Sequence, residues 1–444
     1  MSMFIDRKDE TANLNEVFNS KKAELVLVYG RRRIGKSRLL VESIKGKNAI
    51  YFLADTSKNI LDTLSNQIKD EFVRFSSWDD FFQFLYSSKY DVIVIDEFQY
   101  LYHVDKSWPT ILQRWWEKLK ETDKKIILCG SIISTIYKIT KGYGSALYGR
   151  KTYEMKIEPL KFIFLKEFFK NYTPEDLVKV YCIIGGIPRY LEEFDSRISV
   201  NENIKKKILE KNSFLYNEPM NLLYEEFRDV TPYISILLAI TQGYVRFNDM
   251  ATYSRIEGHK LPKYLMVMER VGLIEKEIPV TDKKVKSKTT RYKLRDNFYK
   301  FWFRFVFKNK SMIEQGLIDD VFDSINNELN SYFGFCFEDI CKELIIIKKP
   351  LQFTKIGKWW YKDKEIDLIA LNEKNKEVLF TECKWQDRVN AEKIIMELTE
   401  KARYVDWNNR GRKESYAIFA KSFSKKINEF DGKKVYCFDL MDLK

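Results

Sequence analysis

The stretch "GRRRIGKS" holds the first residues whose types and spacing suit a reaction. Gly30, Gly35, Lys36 and Ser37 fit the pattern G-x-x-x-x-G-K-[ST], with Arg33, Ile34 and Arg38 alongside. Glycines let the main chain wrap closely around phosphates, so that backbone N–H groups point inward. Lys36 would reach the β- and γ-phosphates, and Ser37 would ligate Mg²⁺. ATP and Mg²⁺ are therefore the expected cofactors.

A second set of residues agrees with the first. "YDVIVIDEFQYL" is an apolar run ending in Asp96 and Glu97. Carboxylates at the C-terminal end of a buried strand lie where open α/β sheets bind ligands. Asp96 would hold Mg²⁺ through water. Glu97 would polarise the attacking water and Gln99 would help to place it. An acidic helix start is the plainer alternative. "KKIILCGS" ends at Ser131, which either senses the γ-phosphate or simply leaves the strand. Arg150, after Gly149, either neutralises transition-state charge or forms a structural salt bridge.

A third set lies far downstream, in "KEIDLIALNEKNKEVLFTECKW". Side chains alternate along a strand, so Glu382 and Lys384 share a face. Asp367, on the neighbouring strand, meets them if the register allows. Asp367 and Glu382 would bind Mg²⁺, and Lys384 would orient or deprotonate a water or stabilise charge, as in metal-assisted phosphodiester cleavage. Glu338, on the helix "SYFGFCFEDICKELIII", would reach the same ion. The alternative is an ordinary amphipathic hairpin.

These residues need elements to position them. "AELVLVY" reads as a strand and "SRLLVESI" as a helix, so the glycine loop joins strand to helix and gains the positive helix end. "TPYISILLAITQG", "RFNDMATYSRI" and "LPKYLMVMERVGLI" read as three helices, followed by the strands "IEKEIPVT" and "KTTRYKLR". Three helices and a β-wing describe a winged helix-turn-helix. Residues 281–310 hold 11 Lys/Arg and 2 Asp/Glu. Lys260 and Lys263 on the third helix, with Lys283, Lys284, Lys286 and Lys288 in the wing, are the candidate DNA contacts. A protein-binding winged helix is the alternative. The aromatics of "LRDNFYKFWFRFVFKNK" recur at helical spacing and predict core packing.

Composition bounds the rest. A net charge of +13 suits a polyanionic partner, and 45% hydrophobic residues suffice for real cores. The six cysteines form no CxxC pair, so free buried thiols are expected. The charged start "MSMFIDRKDE" lacks an apolar signal core, and no apolar run approaches a membrane span. A cytoplasmic protein without membrane contact is expected.

"YGRRRIGKSRLL", "IDEFQYL", "LCGS", "LYGR" and "YCIIGGIPRYLEEF" together resemble the archaeal-type ATPases of the STAND/AAA+ P-loop class. In that family an h-h-G-R-E-x-E element lies beside the adenine. "FIDRKDE" departs from it at Asp6 and Lys8, so Arg7 and Glu10 are what the resemblance carries over. "GGIPRYL" resembles the family's helical lid, which implies Gly186, Pro188 and Arg189 near the nucleotide. The downstream hairpin resembles the PD-(D/E)xK nuclease superfamily, with Ile366 in place of the motif's proline.

The expected fold is a multidomain α/β chain: a P-loop NTPase parallel sheet (1–160), a helical lid (161–221), a winged helix-turn-helix (222–310) and a restriction-endonuclease-like domain (311–444). The function expected is an ATPase that binds DNA, with ATP as a conformational switch. The rival is a regulatory ATPase whose nuclease-like domain is silent and serves protein assembly, including assembly with copies of itself.

Overall fold

The computed structural model describes residues 5–68, 73–141, 145–282 and 289–443. The candidate wing lysines Lys283, Lys284, Lys286 and Lys288 lie outside the described residues. Packing divides the chain into two compact units. One comprises residues 1–159, 187–189 and 225–228; the other comprises 160–186, 190–224 and 229–444. The segments expected as lid, winged helix and C-terminal domain thus fall largely within one compact unit.

The first unit is built on five strands, β1 (Glu24–Tyr29), β2 (Ala49–Leu53), β3 (Val92–Asp96), β4 (Lys125–Gly130) and β5 (Tyr153–Lys156). They form one sheet in the order β2-β3-β4-β1-β5, and every pair is parallel. Alternation explains the apolar runs. Leu25, Leu27, Ile93, Ile95, Ile126 and Leu128 enter one core. Val26, Val28, Val92, Val94, Ile127 and Cys129 enter a second core. A parallel sheet covered on both faces needs apolar residues at both parities. Parallel order also brings the C-terminal ends of β1, β3 and β4 to one edge, and that edge carries the candidate residues.

In the second unit, helices Thr231–Thr241, Phe247–Ser254 and Leu261–Arg270 precede β6 (Ile274–Glu277) and β7 (Arg291–Leu294), which pair antiparallel. The helical run from Asn297 to Asn309 buries Phe298, Phe301, Trp302, Phe303 and Phe305, the core packing that helical spacing predicts. A 31-residue helix, Ile318–Lys348, buries Phe322, Ile325, Leu329 and Phe333 at intervals of three and four. Strands β8 (Lys355–Tyr361), β9 (Lys364–Asn372) and β10 (Glu377–Lys384) then form an antiparallel meander. Strand Lys413–Ala420 adds parallel to β10, and Lys433–Phe438 adds beyond it. Ile366, Ile369, Val378, Phe380, Ile395, Leu398 and Ile418 close a core between this mixed sheet and helix Ala391–Ala402.

All six cysteines are free thiols, five of them buried. Among the described residues no helix is long and apolar enough to cross a membrane.

Candidate nucleotide site and candidate metal centre

The loop after β1 is held in shape before any ligand is considered. A Cβ on Gly30 would stand 2.5 Å from the carbonyl oxygen of Ile157, so only glycine fits there. Gly35 has φ +92°, which leaves its N–H and those after it free to turn inward. Arg33 also has positive φ, at 68°. Ile34 is buried. Arg7 clamps the loop from behind: it donates to the carbonyl of Ile34 at 3.1 Å and to that of Glu158 at 2.9 Å. It also pairs with Glu10 at 2.8 Å. Buried with its donors so engaged, Arg7 helps to shape the loop. Pro188 reaches the other side, its Cγ 4.0 Å from a Cβ placed on Gly35.

Lys36 is 5% exposed and donates to the carbonyls of Gly30 at 3.0 Å and Arg31 at 3.1 Å. Those carbonyls hold the ammonium in the mouth of the loop. Arg38 follows on the half-buried side of the helix Lys36–Ser43. The Ser37 hydroxyl donates to Asp96 Oδ2 at 2.6 Å. A hydroxyl and a carboxylate in contact are hard oxygen donors of the kind Mg²⁺ takes, and this pair fits the ion. The phenol of Tyr51, on β2, donates to the same Oδ2. Burial, then the charge of Asp96, pushes the Tyr51 phenol well above its ordinary range. Tyr51 was not expected from the sequence.

Glu97 stands beside this pair with φ 51°, a left-handed backbone that costs a non-glycine residue about 1–2 kcal/mol. Its backbone N–H donates to Asp96 Oδ1 at 2.8 Å. Its Oε2 accepts from Gln99 at 2.5 Å and from Ser131 at 2.7 Å. Ser131 therefore bonds to Glu97, besides ending a strand. Gln99 is fully buried, and its Oε1 has no hydrogen-bond partner among the described residues. Arg150 pairs with Glu117 at 3.6 Å and donates to Ala146, which is the salt-bridge alternative.

Residues 4–194 match a family model described as an ATPase domain predominantly from Archaea. An uncharacterised protein of Methanocaldococcus jannaschii is 38% identical over 438 residues, which cover 96% of this chain and 97% of that one. The chain belongs to one family with that protein, and its residues 4–194 form an archaeal-type ATPase domain. An uncharacterised ATP-binding protein of the same organism is 42% identical over 45 residues, 10% of this chain and 76% of that one. The solved Walker-type ATPase of Pyrococcus abyssi superposes with a TM-score of 0.52 at 22% identity, over 68% of this chain and 96% of that one. Residues 302–394 match a second model, described as archaeal and bacterial proteins of unknown function.

That second match covers the downstream carboxylates of this ATPase. The β9–β10 ladder ends at the pair Leu368–Thr381, so Asp367 and Glu382 come next in register, on one face. Asp367 accepts the backbone N–H of Cys383 at 2.8 Å. Burial, then the charges of Glu382 and Glu338, push its carboxyl up to about 7. Glu338 is itself pushed up, chiefly by burial, against the attraction of its partner Lys358. Lys384 donates to Glu382 Oε1 at 2.7 Å, and Lys401 reaches both oxygens at 3.0 and 3.2 Å. Burial pulls the Lys384 ammonium down, but Glu382 outweighs it and the net shift is upward, which suits a fixed charge better than a base.

The three carboxylates are thus near enough to feel one another, yet Glu338 and Glu382 each have an ammonium partner. Among the described residues no group of three His, Cys, Asp or Glu side chains is placed to hold a metal ion. Asp367 and Glu382 are neighbours in register, with Lys358 compensating Glu338 and Lys384 and Lys401 compensating Glu382. Lys401 was missed because it comes from the helix Ala391–Ala402 and no local spacing links it to Glu382.

Lys260 and Lys263 are exposed at the start of the helix Leu261–Arg270, and Lys260 pairs with Glu257 at 2.6 Å. Two further acids were not foreseen. Glu225 pairs with Arg32 of the glycine loop. Glu226 accepts the N–H groups of Ile133 at 3.0 Å and Ser134 at 3.3 Å, closing the start of the helix Ile133–Thr140 just after Ser131.

Proposed function

We propose that this ATPase is a cytoplasmic, nucleotide-switched DNA-binding protein. ATP would lie on the loop Gly30–Ser37, with Lys36 on its phosphates and Mg²⁺ between Ser37 and Asp96. Glu97, fixed by Gln99 and Ser131, would direct the attacking water. The observation that carries this reading is the joined pair Ser37–Asp96 with a doubly held Glu97 beside it. Magnesium would supply charge neutralisation at the phosphates; the chain's own residues supply position.

For DNA, the support is three helices followed by an antiparallel β-ladder, with Lys260 and Lys263 exposed at the start of the third helix. The net charge of +13 points the same way. The test is fluorescence anisotropy of labelled duplex DNA against salt, with ATP, with ADP and without nucleotide. The affinity should fall linearly on a log–log plot, and removing one phosphate-contacting lysine, Lys260→Ala or Lys263→Ala, should lower the slope by about one. An affinity indifferent to both salt and nucleotide would overturn the reading.

A nuclease-like role for Asp367, Glu382 and Lys384 is the finer part of the proposal. Plasmid nicking with Mg²⁺ or Mn²⁺ should be lost in Asp367→Ala and Lys384→Ala. One observation favours a second reading, a catalytically silent domain that serves assembly: Glu382 is already held by two lysines. Absence of metal-dependent, mutation-sensitive cleavage on any DNA form would select it.

A further inference from the structure

A cavity of about 380 Å³ opens within the second unit, beside β7, the helical run Asn297–Asn309 and the helix Ile318–Lys348. Its volume is in the range of small-molecule sites, about 300–1,000 Å³. None of its lining residues belongs to the glycine loop or to the Asp96–Glu97 pair.

Two helical stripes face it. Lys300, Arg304 and Lys308 recur every fourth residue on one wall, and Glu328, Tyr332 and Phe335 recur at four and three on another. Arg304 and Lys308 share the single carboxylate of Glu328, at 3.0 and 3.1 Å, so this corner keeps one positive charge in excess. The Arg304 Nε is buried and has no hydrogen-bond partner among the described residues. A buried donor left unpaired is costly, and an anion's oxygen brought to it would relieve that cost. The other lining cations are matched: Arg291 pairs with Glu365, Lys358 with Glu338, and Lys293 and Lys300 with Asp339, Lys293 also lying 3.7 Å from Glu277.

Phe335 is the second anchor. It is 49% exposed although it lines the cavity, and the ammonium groups of Lys358 and Lys300 stand 5.4 and 6.0 Å from its ring centre. Glu328 and Phe335 are seven residues apart on one helix, about 10 Å along its axis at ~1.5 Å per residue. An anion seat and a half-exposed aromatic ring at that separation suit a ligand with a phosphate at one end and a flat ring at the other.

We propose that this cavity binds a nucleoside 5′-phosphate, with the phosphate at Arg304 and Lys308 and the base on Phe335. The source is a free mononucleotide or the 5′ end of a strand, which share this chemistry. The proposal does not rest on the DNA-binding reading above.

The test uses the full chain carrying Lys36→Ala, so that the glycine loop does not take the nucleotide. Calorimetric titration with 2′-deoxyadenosine 5′-monophosphate should show binding, and adenosine should bind at least tenfold more weakly. Phe335→Ala should weaken binding roughly ten- to hundredfold, the usual effect of removing a stacking ring. Arg304→Gln should weaken it tenfold or more and flatten its salt dependence. Both side chains are partly exposed, and unchanged thermal unfolding would show that each variant folds.

Short oligodeoxyadenylates with a 5′-phosphate or a 5′-hydroxyl identify the source. Tighter binding of the phosphorylated strand than of the mononucleotide supports a strand end, and the reverse order supports a free nucleotide. No binding of the mononucleotide, or binding untouched by both Phe335→Ala and Arg304→Gln, would overturn the proposal.

Discussion

Asp367→Asn should abolish a pH-dependent loss of stability that the native chain carries at its C-terminal carboxylates. Asp367 has its carboxyl pushed up to about 7 in the folded chain, against an ordinary 3.8, because burial and then the charges of Glu382 and Glu338 disfavour the ionised form. The folded state therefore keeps a proton that the unfolded chain releases. Stability from this group is fully present below about pH 4 and is lost as the pH rises through about 7. At about 1.36 kcal/mol per unit, the difference of 3.2 units (7 less 3.8) amounts to at most about 4 kcal/mol at pH 8. Asparagine can still accept the N–H of Cys383 and cannot ionise. Urea unfolding of both chains at acid and alkaline pH, followed by tryptophan emission, isolates the effect of this carboxylate cluster, because titrating groups remote from it cancel in the difference. The variant should be the more stable chain at pH 8, by about 2–4 kcal/mol, with the gap shrinking to near zero or reversing at pH 5. Added Mg²⁺ should narrow the gap at pH 8 where the site accepts an ion. A stability difference that is the same at both pH values would refute the reasoning.

Two further outcomes follow from the nucleotide site. Tyr51→Phe removes one of the two donors that hold Asp96 Oδ2. The Mg²⁺ concentration for half-maximal ATP turnover should rise roughly tenfold, the lower end for loss of a group that orients a metal ligand. Glu226→Ala strips the acceptors from Ile133 and Ser134 at the start of their helix. Thermal unfolding of the first unit should register a loss of about 1–3 kcal/mol, as for buried donors left without a partner. An unchanged melting temperature would mean that water replaces the carboxylate.

The sequence was informative where chemistry is local. Gly30 to Ser37 is contiguous, and strand and helix signals flank it. The apolar runs of β1, β3 and β4 announce a sheet covered on both faces, since both parities are apolar. The hairpin of β9 and β10 is legible from two apolar runs and a polar turn, whereas its register comes from the folded sheet. What escaped was assembled across the fold. Tyr51 reaches Asp96 from the next strand, 45 residues away. Glu226 reaches Ile133 across 93 residues, and no periodic pattern connects them. Lys401 approaches Glu382 from the helix Ala391–Ala402, and no local spacing links the two. Arg7 also reaches the carbonyls of Ile34 and Glu158, 27 and 151 residues away, which no local spacing announces. In each case tertiary packing, rather than spacing, decides which charge meets which.

The most direct measurement is steady-state ATP turnover with Mg²⁺ for the native chain and for Glu97→Gln, alongside nucleotide binding to both. Glutamine keeps the size of the side chain and loses the carboxylate that Gln99 and Ser131 hold. Binding should stay within a few-fold of native while turnover falls by about 10²–10⁴, the usual contribution of a positioned base. Native turnover in Glu97→Gln would contradict this role for Glu97.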